Sequence, residues 1–217
     1  MRKYLYISIL TLISLVATAA NADDIYFAKN SNFDAGNELV INGGSYLQAN
    51  ADSGWFRSDG NHFAGNQSYL TGSCDSCGPY QYRGYFAFGQ LESGVFGDAQ
   101  FTVNTYSITG KGSLELFGTD LDPYQVDSSQ NWTDISKYNA LNSGVLLGEI
   151  SLDPSLSNQY VTVDFSSAGL AWLNSHAGDD IVIGANWDAV ATPEPGTLML
   201  LGSGMTGLTG VIRRRRS

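Results

Sequence analysis

The sequence predicts an all-β fold, a single jelly-roll-like β-sandwich with one short helix. Short apolar runs alternate with clusters of Gly, Ser, Asn and Asp, which are residues that form turns. Several runs alternate apolar and polar residues with a period of two, as half-buried strands do. The chain also holds 12 Tyr and 10 Phe, and aromatic residues are enriched in strands. Together these features predict about eight to ten strands.

The first part of the chain predicts a hairpin followed by loops. Residues 25–29 and 38–41 are short strand candidates. The turn signal Asn42-Gly43-Gly44 joins the second candidate to residues 45–49 as a hairpin. Residues 50–78 are rich in Gly, Ser, Asn and Asp, so we expect one or two long loops there, interrupted by Trp55-Phe56 and Tyr69-Leu70.

The clearest strand covers residues 80–88. Its alternation places Tyr82, Phe86 and Phe88 on one face and Tyr85 on the other. This strand is the best sequence candidate for the centre of the domain.

Further strands are predicted along the second half of the chain. Residues 100–108 form one strand, in which a change of apolar phase at Tyr106 and Ile108 predicts a bulge. The other candidates are residues 113–117, 144–150, 160–165 and 181–187. The last of these is apolar on both faces and is therefore expected to be a central strand.

One helix is predicted over residues 168–175. Ser166 or Ser167 is expected to cap its start, and Gly178 is expected to end it. The side that packs on the domain is expected to carry Ala168, Ala171 and Trp172.

The N-terminus has the three parts of a secretory signal peptide. Basic residues Arg2 and Lys3 precede an apolar run, and the small residues Ala20 and Ala22 occupy positions −3 and −1 of the expected cut. We therefore expect signal peptidase to remove residues 1–22. The alternative is an uncleaved anchor, although the apolar run is short for a membrane span.

The C-terminus, residues 191–217, has a second membrane signal. Pro193, Glu194 and Pro195 precede an uncharged apolar run over residues 197–212, which is near the lower length limit of a membrane helix. A basic cluster then closes the chain: Arg213, Arg214, Arg215 and Arg216. Because arginines stay on the cytoplasmic side, we expect the tail to span the inner membrane with the domain outside.

The central domain, residues 23–190, is strongly acidic. Residues 23–195 contain all 21 acidic residues but only five of the 11 basic ones, which gives a net charge of −16. Nucleic-acid binding depends on neutralising phosphates, so this charge excludes a nucleic-acid partner. It suits an exported soluble domain.

No motif predicts catalysis, so we expect a protein that is not an enzyme. His62 lies in a sequence typical of an exposed loop, and His176 lies near the helix end, neither in a nucleophile motif. The alternative is a secreted glycan-processing enzyme, which would need two carboxylates facing each other across a cleft.

The chain has two cysteines, Cys74 and Cys77, separated by two residues. After export, a small-loop disulfide between them is the favoured interpretation. Free thiols, or redox or metal chemistry, are the alternatives.

Two ligand classes fit the loops of the domain. No motif requires a cofactor, but oxygen-rich loops suit structural calcium. The favoured calcium ligands are Asp120, Asp122 and Asp127. Aromatic rings near loops could contact a glycan, and the candidates are Trp55, Tyr82 and Tyr85.

The tail resembles a PEP-CTERM sorting signal in its motif Pro193-Glu194-Pro195, its apolar span and its final arginines. The resemblance implies that an exosortase-type membrane transpeptidase recognises the tail and cuts near the motif. It further implies a transient membrane anchor and a product at the cell surface or in the extracellular matrix. That family is associated with exopolysaccharide and biofilm, so polysaccharide is an implied partner. A permanently anchored carbohydrate-binding module is an alternative.

Two stretches of the domain are similar to secreted jelly-roll modules of the DNRLRE and carbohydrate-binding type. Residues 83–88 look like their R-x-Y-x-x-F strand. Residues 161–165, followed by 171–173, look like their strand-then-helix ending. The Gly-rich stretch over residues 50–78 departs from that pattern, and no ligand-binding residue is carried over.

Overall fold

The computed structural model describes residues 27–28, 37–47, 52–66, 68–74 and 77–189, which all lie in a compact unit formed by residues 23–190. The strands described are β1 (Phe27–Ala28), β2 (Glu38–Ile41), β3 (Gly44–Leu47), β4 (Asp52–Arg57), β5 (Asn61–His62), β6 (Leu70–Cys74), β7 (Gly78–Phe88), β8 (Ala99–Thr105), β9 (Gly112–Gly118), β10 (Trp132–Thr133), β11 (Val145–Leu152), β12 (Gln159–Asp164) and β13 (Ile181–Ala189). The α-helices described are α1 (Ile135–Ala140) and α2 (Ser167–Ser175), and two 3-10 turns cover Pro123–Gln125 and Pro154–Leu156. This composition confirms the predicted all-β class.

The strands pair in antiparallel sheets. The larger sheet has the order β1-β6-β7-β13-β9-β11, and β4 also pairs with β7. A four-stranded sheet has the order β12-β8-β2-β3, and β5 pairs with β10 in a small ribbon. The position of β13 between β7 and β9 confirms that this strand is central.

The two larger sheets pack face to face across one hydrophobic core. Phe86 of β7 and Phe101 of β8 come from different sheets, and their ring centroids are 4.8 Å apart. Both β8 and β9 alternate buried and half-buried residues, so each contributes one apolar face. The arrangement is the one that the predicted sandwich requires. The finer jelly-roll assignment stays a prediction.

The second half of strand β7, residues 84–88, is buried on both of its faces. Phe86 and Phe88 belong to the main core, whereas Tyr85 and Ala87 belong to a second apolar cluster. That second cluster is closed by Val126 and Leu141, which come from the segment between β9 and β11.

The predicted hairpin is confirmed. Strands β2 and β3 pair from Glu38 opposite Leu47 to Ile41 opposite Gly44. Asn42 and Gly43 form the turn with φ values of 48° and 73°. Two consecutive residues with positive φ form the type of turn that suits the twist of a two-residue hairpin.

The prediction of loops over residues 50–78 is wrong in part. Strands β4 and β6 both lie in this stretch, and both pair with β7. Glycine-rich local sequence conceals them, because their stabilising partner is a strand further along the chain.

Strand β8 ends at Thr105 without the predicted bulge, since its register with β12 and β2 is continuous. Tyr106 points to solvent, and Ile108 returns to the core after the strand has ended. The phase change in the sequence therefore marks the end of the strand.

Helix α2 has the predicted cap but a different buried face. The Ser166 hydroxyl accepts a hydrogen bond from the Gly169 amide at 3.1 Å. The buried residues are Gly169, Trp172 and Leu173, so the expectation for Ala168 and Ala171, which are exposed, is wrong. A Cβ on Gly169 would lie 2.6 Å from the Leu147 carbonyl oxygen. Close packing through Gly169 sets the helix rotation.

Helix α1 was not predicted, which corrects the expectation of a single helix. It begins after Asp134, whose carboxylate accepts a hydrogen bond from the Ser136 amide at 2.9 Å. Six residues are too few to show a helical period in the sequence.

Candidate functional site

The two targeting signals lie outside the described residues. This holds for the signal cleavage residues Ala20 and Ala22, for the motif Pro193, Glu194 and Pro195, and for the cluster Arg213, Arg214, Arg215 and Arg216. Within the described ranges, no helix has the length and apolarity needed to cross a membrane. The assignment of the sorting residues therefore rests on the sequence.

The three rings proposed to contact a glycan are buried. Trp55, Tyr82 and Tyr85 expose 6%, 5% and 0% of their surface. Trp55 and Tyr82 pack edge to face, with centroids 5.1 Å apart, and Tyr85 packs on Phe56 at 5.7 Å. These rings do not offer a platform to a ligand, which corrects the prediction.

His62 is also buried, although its local sequence is typical of an exposed loop. Its Nδ1 lies 2.7 Å from the Trp55 carbonyl oxygen, and its Nε2 lies 3.4 Å from the Ser128 carbonyl oxygen. A carbonyl oxygen only accepts hydrogen bonds, so Nδ1 carries the donated proton at the shorter contact. The ring thus ties β4 to the segment that follows β9, and it has a structural role.

An aromatic and ionic cluster lies beside these buried rings. Arg57 Nε and Nη2 donate to the two carboxylate oxygens of Asp59 at 2.8 and 2.6 Å. The guanidinium carbon lies 3.9 Å from the Tyr80 ring centroid and 5.6 Å from that of Phe63. The hydrogen bonds from Arg57 hold the pKa of Asp59 well below its usual range. This cluster fixes the turn between β4 and β5.

The proposed calcium ligands do not converge. The Asp122 carboxylate caps a 3-10 turn by accepting from the Tyr124 amide at 2.8 Å. The Asp127 carboxylate accepts from the Ser129 amide at 2.8 Å, and hydrogen bonds from Ser129 lower its pKa. Asp120 is exposed. Within the described ranges, no three His, Cys, Asp or Glu residues form a group that could hold a metal. The expectation of a calcium site on these three residues is therefore corrected.

The disulfide stays a prediction. No cysteine in the described part of the chain is free. The side chain of Cys74 lies outside that part, so the bond between Cys74 and Cys77 is not described.

Arg83, in the strand that looks like R-x-Y-x-x-F, has a packing role. Its Nη1 donates to the Tyr138 carbonyl oxygen at 2.8 Å, and its guanidinium carbon lies 3.9 Å from the Tyr138 ring centroid. Burial lowers the pKa of Arg83. Next to it, Asn186 donates to Glu115 Oε2 at 2.8 Å. Arg83 therefore joins α1 to the outer surface of the larger sheet.

The outer face of the four-stranded sheet carries two exposed tyrosines. Tyr160 of β12 is 55% exposed, and Tyr106, directly after β8, is 53% exposed. Tyr160 pairs with Asn104, and Tyr106 follows two residues after Asn104, just beyond the end of β8. The two tyrosines therefore lie near the same end of the β8–β12 strand pair. Sequence reasoning did not single out these residues, although the alternation of Val161 and Val163 could have placed Tyr160 on the outside.

The outer face around the tyrosines is polar. The outward residues of β8 and β12 pair as Tyr160 with Asn104, Thr162 with Thr102, and Asp164 with Gln100. The two threonine hydroxyls are 2.9 Å apart and hydrogen bonded. Hereafter "the tyrosine face" means Tyr106 together with these six residues.

Comparison with known proteins concerns the tail of the chain. Residues 191–216 match the model of the PEP-CTERM protein-sorting motif. No curated protein and no solved structure matches the chain. The likeness of the domain to DNRLRE and carbohydrate-binding modules therefore stays a prediction.

The matched segment comprises the motif, the apolar run and the arginines noted in the sequence. It indicates an exported protein that is targeted to an exosortase and sorted at the membrane through its C-terminus. The chain thus carries a PEP-CTERM protein-sorting motif at residues 191–216.

Proposed function

We propose that the chain is a non-enzymatic protein of the cell surface or extracellular matrix that associates with exopolysaccharide. The observation that carries this proposal is the sorting motif at residues 191–216, which follows the compact unit of residues 23–190. A folded domain followed by a cleavable membrane-sorting signal suits a product that acts outside the cell.

The proposed order of events follows from the two ends of the chain. Signal peptidase removes residues 1–22, and the apolar tail then holds the chain in the inner membrane with its arginines inside. An exosortase-type enzyme cuts near Pro193-Glu194-Pro195 and releases or attaches the domain outside. The chemistry of that cut belongs to the exosortase, so the motif is a recognition element.

The use of polar groups in the domain supports a role other than catalysis. Asp122, Asp134 and Asp153 each accept a hydrogen bond from the amide two residues further along, as turn and helix caps do. His62 is enclosed between two carbonyl oxygens. These groups stabilise the fold.

Processing is tested by mass spectrometry of the protein from cells with and without an active exosortase. We expect a C-terminus near the motif in the first cells and retention of Arg213, Arg214, Arg215 and Arg216 in the second. Retention of the arginines in both would favour the permanently anchored alternative. A chain with the motif scrambled should stay in the membrane fraction, and equal display of that chain would overturn the sorting role.

Association with polysaccharide is tested on the exported protein. We expect it to co-sediment with the producing cell's extracellular matrix and to be released by digestion of the polysaccharide. No new reducing ends should form when the protein is incubated with the isolated polymer. Their appearance would favour the glycan-processing alternative, and a protein that never enters the matrix fraction would contradict the association.

A further inference from the structure

The tyrosine face combines exposed rings with uncharged hydrogen-bonding groups. Tyr106 and Tyr160 each present more than half of their surface to solvent. Asn104, Thr102 and Thr162 lie beside them on the same face. A tyrosine offers a rigid apolar ring and a hydroxyl at little cost in conformational entropy, which is why tyrosines are frequent in binding surfaces.

The charge of this surface limits its ligand. The four strands of the sheet contain no Lys or Arg, whereas Glu38 and Asp164 stand among their outward residues. The whole of residues 23–195 has a net charge of −16. An anionic polymer would be repelled, and the face holds no cation to offset that repulsion.

An uncharged sugar polymer has the chemical groups that this surface can bind. The C–H faces of a sugar ring pack against an aromatic ring, and its hydroxyls both donate and accept hydrogen bonds. Threonine hydroxyls and the asparagine amide can serve both roles. Two exposed rings near the same end of the β8–β12 strand pair provide separate contacts to one polymer chain.

We propose that the tyrosine face binds an uncharged polysaccharide, with Tyr106 and Tyr160 packing on its sugar rings. This inference rests on the proposed association with exopolysaccharide, and it names the contact surface and the ligand class. Thr102, Thr162 and Asn104 hydrogen bond the sugar hydroxyls. The buried rings of Trp55, Tyr82 and Tyr85 support the fold and do not touch the polymer.

The test uses the exported protein in native gels that contain a soluble polymer. The net negative charge drives the protein through the gel, and binding slows it. The probes are dextran and hydroxyethylcellulose, which are neutral, and alginate, which is anionic. We expect retardation by at least one neutral polymer and none by alginate.

Matched variants locate the contact. The double variant Tyr106→Ala/Tyr160→Ala should bind the retarding polymer about tenfold more weakly or worse, because two aromatic contacts are lost. Tyr106→Phe/Tyr160→Phe should keep most of the binding, since the rings remain. Tyr124→Ala is the control, because Tyr124 is 80% exposed but lies in a 3-10 turn away from this sheet. Unchanged thermal unfolding of each variant shows that it is folded.

The outcomes separate this inference from the function on which it rests. If the double alanine variant binds like the wild type, the tyrosine face is not the binding surface, but the association with polysaccharide stands. If the wild type binds alginate alone, the uncharged ligand class is overturned. If no polymer retards the wild type, and sedimentation shows a dimer that the alanine variant loses, the face is a protein interface and the proposal fails.

Discussion

Tyr85 lies directly over Gly54 on the neighbouring strand. The two residues are opposite each other in the pairing of β4 with β7. A Cβ built on Gly54 would lie 2.5 Å from the Tyr85 hydroxyl oxygen and 2.8 Å from a carbon of its ring. The glycine therefore provides the space that this buried ring occupies.

Gly54→Val is expected to lower the free energy of unfolding by about 1–3 kcal/mol. The Tyr85 ring cannot move aside easily, because it is fully buried and packs against Phe56 and His62. Chemical denaturation of the exported protein measures the change.

Gly94→Ala is the control for this substitution. A Cβ at Gly94 meets no atom within 4 Å, so its variant should unfold like the wild type. Equal stability of the Gly54 variant and the wild type would show that Tyr85 has another place to go.

His62→Ala should destabilise the domain by about 3 kcal/mol, because it leaves a cavity and removes the donor to a buried carbonyl. His62 is 1% exposed and contacts the rings of Trp55 and Phe56. The control is His176→Ala at the end of α2, where the ring is only half-buried and stacks on Trp172 at 4.3 Å. A larger loss at His176 than at His62 would contradict the structural role given to His62.

Lys137→Met should cost about 1–3 kcal/mol, since it removes the donor to the Gln125 carbonyl oxygen. Lys137 Nζ lies 2.5 Å from that oxygen and 4.1 Å from the Trp132 ring centroid. Burial lowers the pKa of this lysine. Lys111→Met, at an exposed position, is the matched control and should change stability by less than about 0.5 kcal/mol. Equal effects of the two substitutions in denaturation curves would contradict the prediction.

The sequence predicted correctly which residues share a strand face. It did not show which other segments of the chain pack on each face. The period of two in residues 80–88 placed Phe86 and Phe88 together, and both are in the core. It also placed Tyr85 on the opposite face, but it could not show that Val126 and Leu141 cover that face. Alternation is a local property, whereas coverage depends on a distant segment.

The sorting signal and the tyrosine face show the same contrast. The motif at Pro193-Glu194-Pro195 is contiguous, so the sequence alone reveals it, and the match at residues 191–216 confirms it. The neighbourhood of Tyr106 and Tyr160 depends on the register between β8 and β12. Register is set by tertiary packing, and a single sequence does not give it.

The ion pair of Arg57 with Asp59 predicts how stability responds to acid. The hydrogen bonds from Arg57 keep the pKa of the folded Asp59 below its unfolded value. A carboxylate of this kind stabilises the fold above its unfolded pKa of about 3.9, and the contribution is lost as pH falls towards the folded pKa. Asp59→Asn should therefore reduce stability at pH 6, and its difference from the wild type should shrink below about pH 4.

The size of this effect is limited by solvent. The Asp59 side chain is one-third exposed, at 33%, and the pair lies at the surface, so we expect less than about 1 kcal/mol. Denaturation from pH 6 to pH 2 should be compared for Arg57→Gln, Asp59→Asn and the double variant. The coupling between the two sites should shrink as the pH falls below about 4 and weaken in high salt. A coupling that stays constant across this pH range would mean that packing of Arg57 on Tyr80, rather than its charge pair, stabilises the turn.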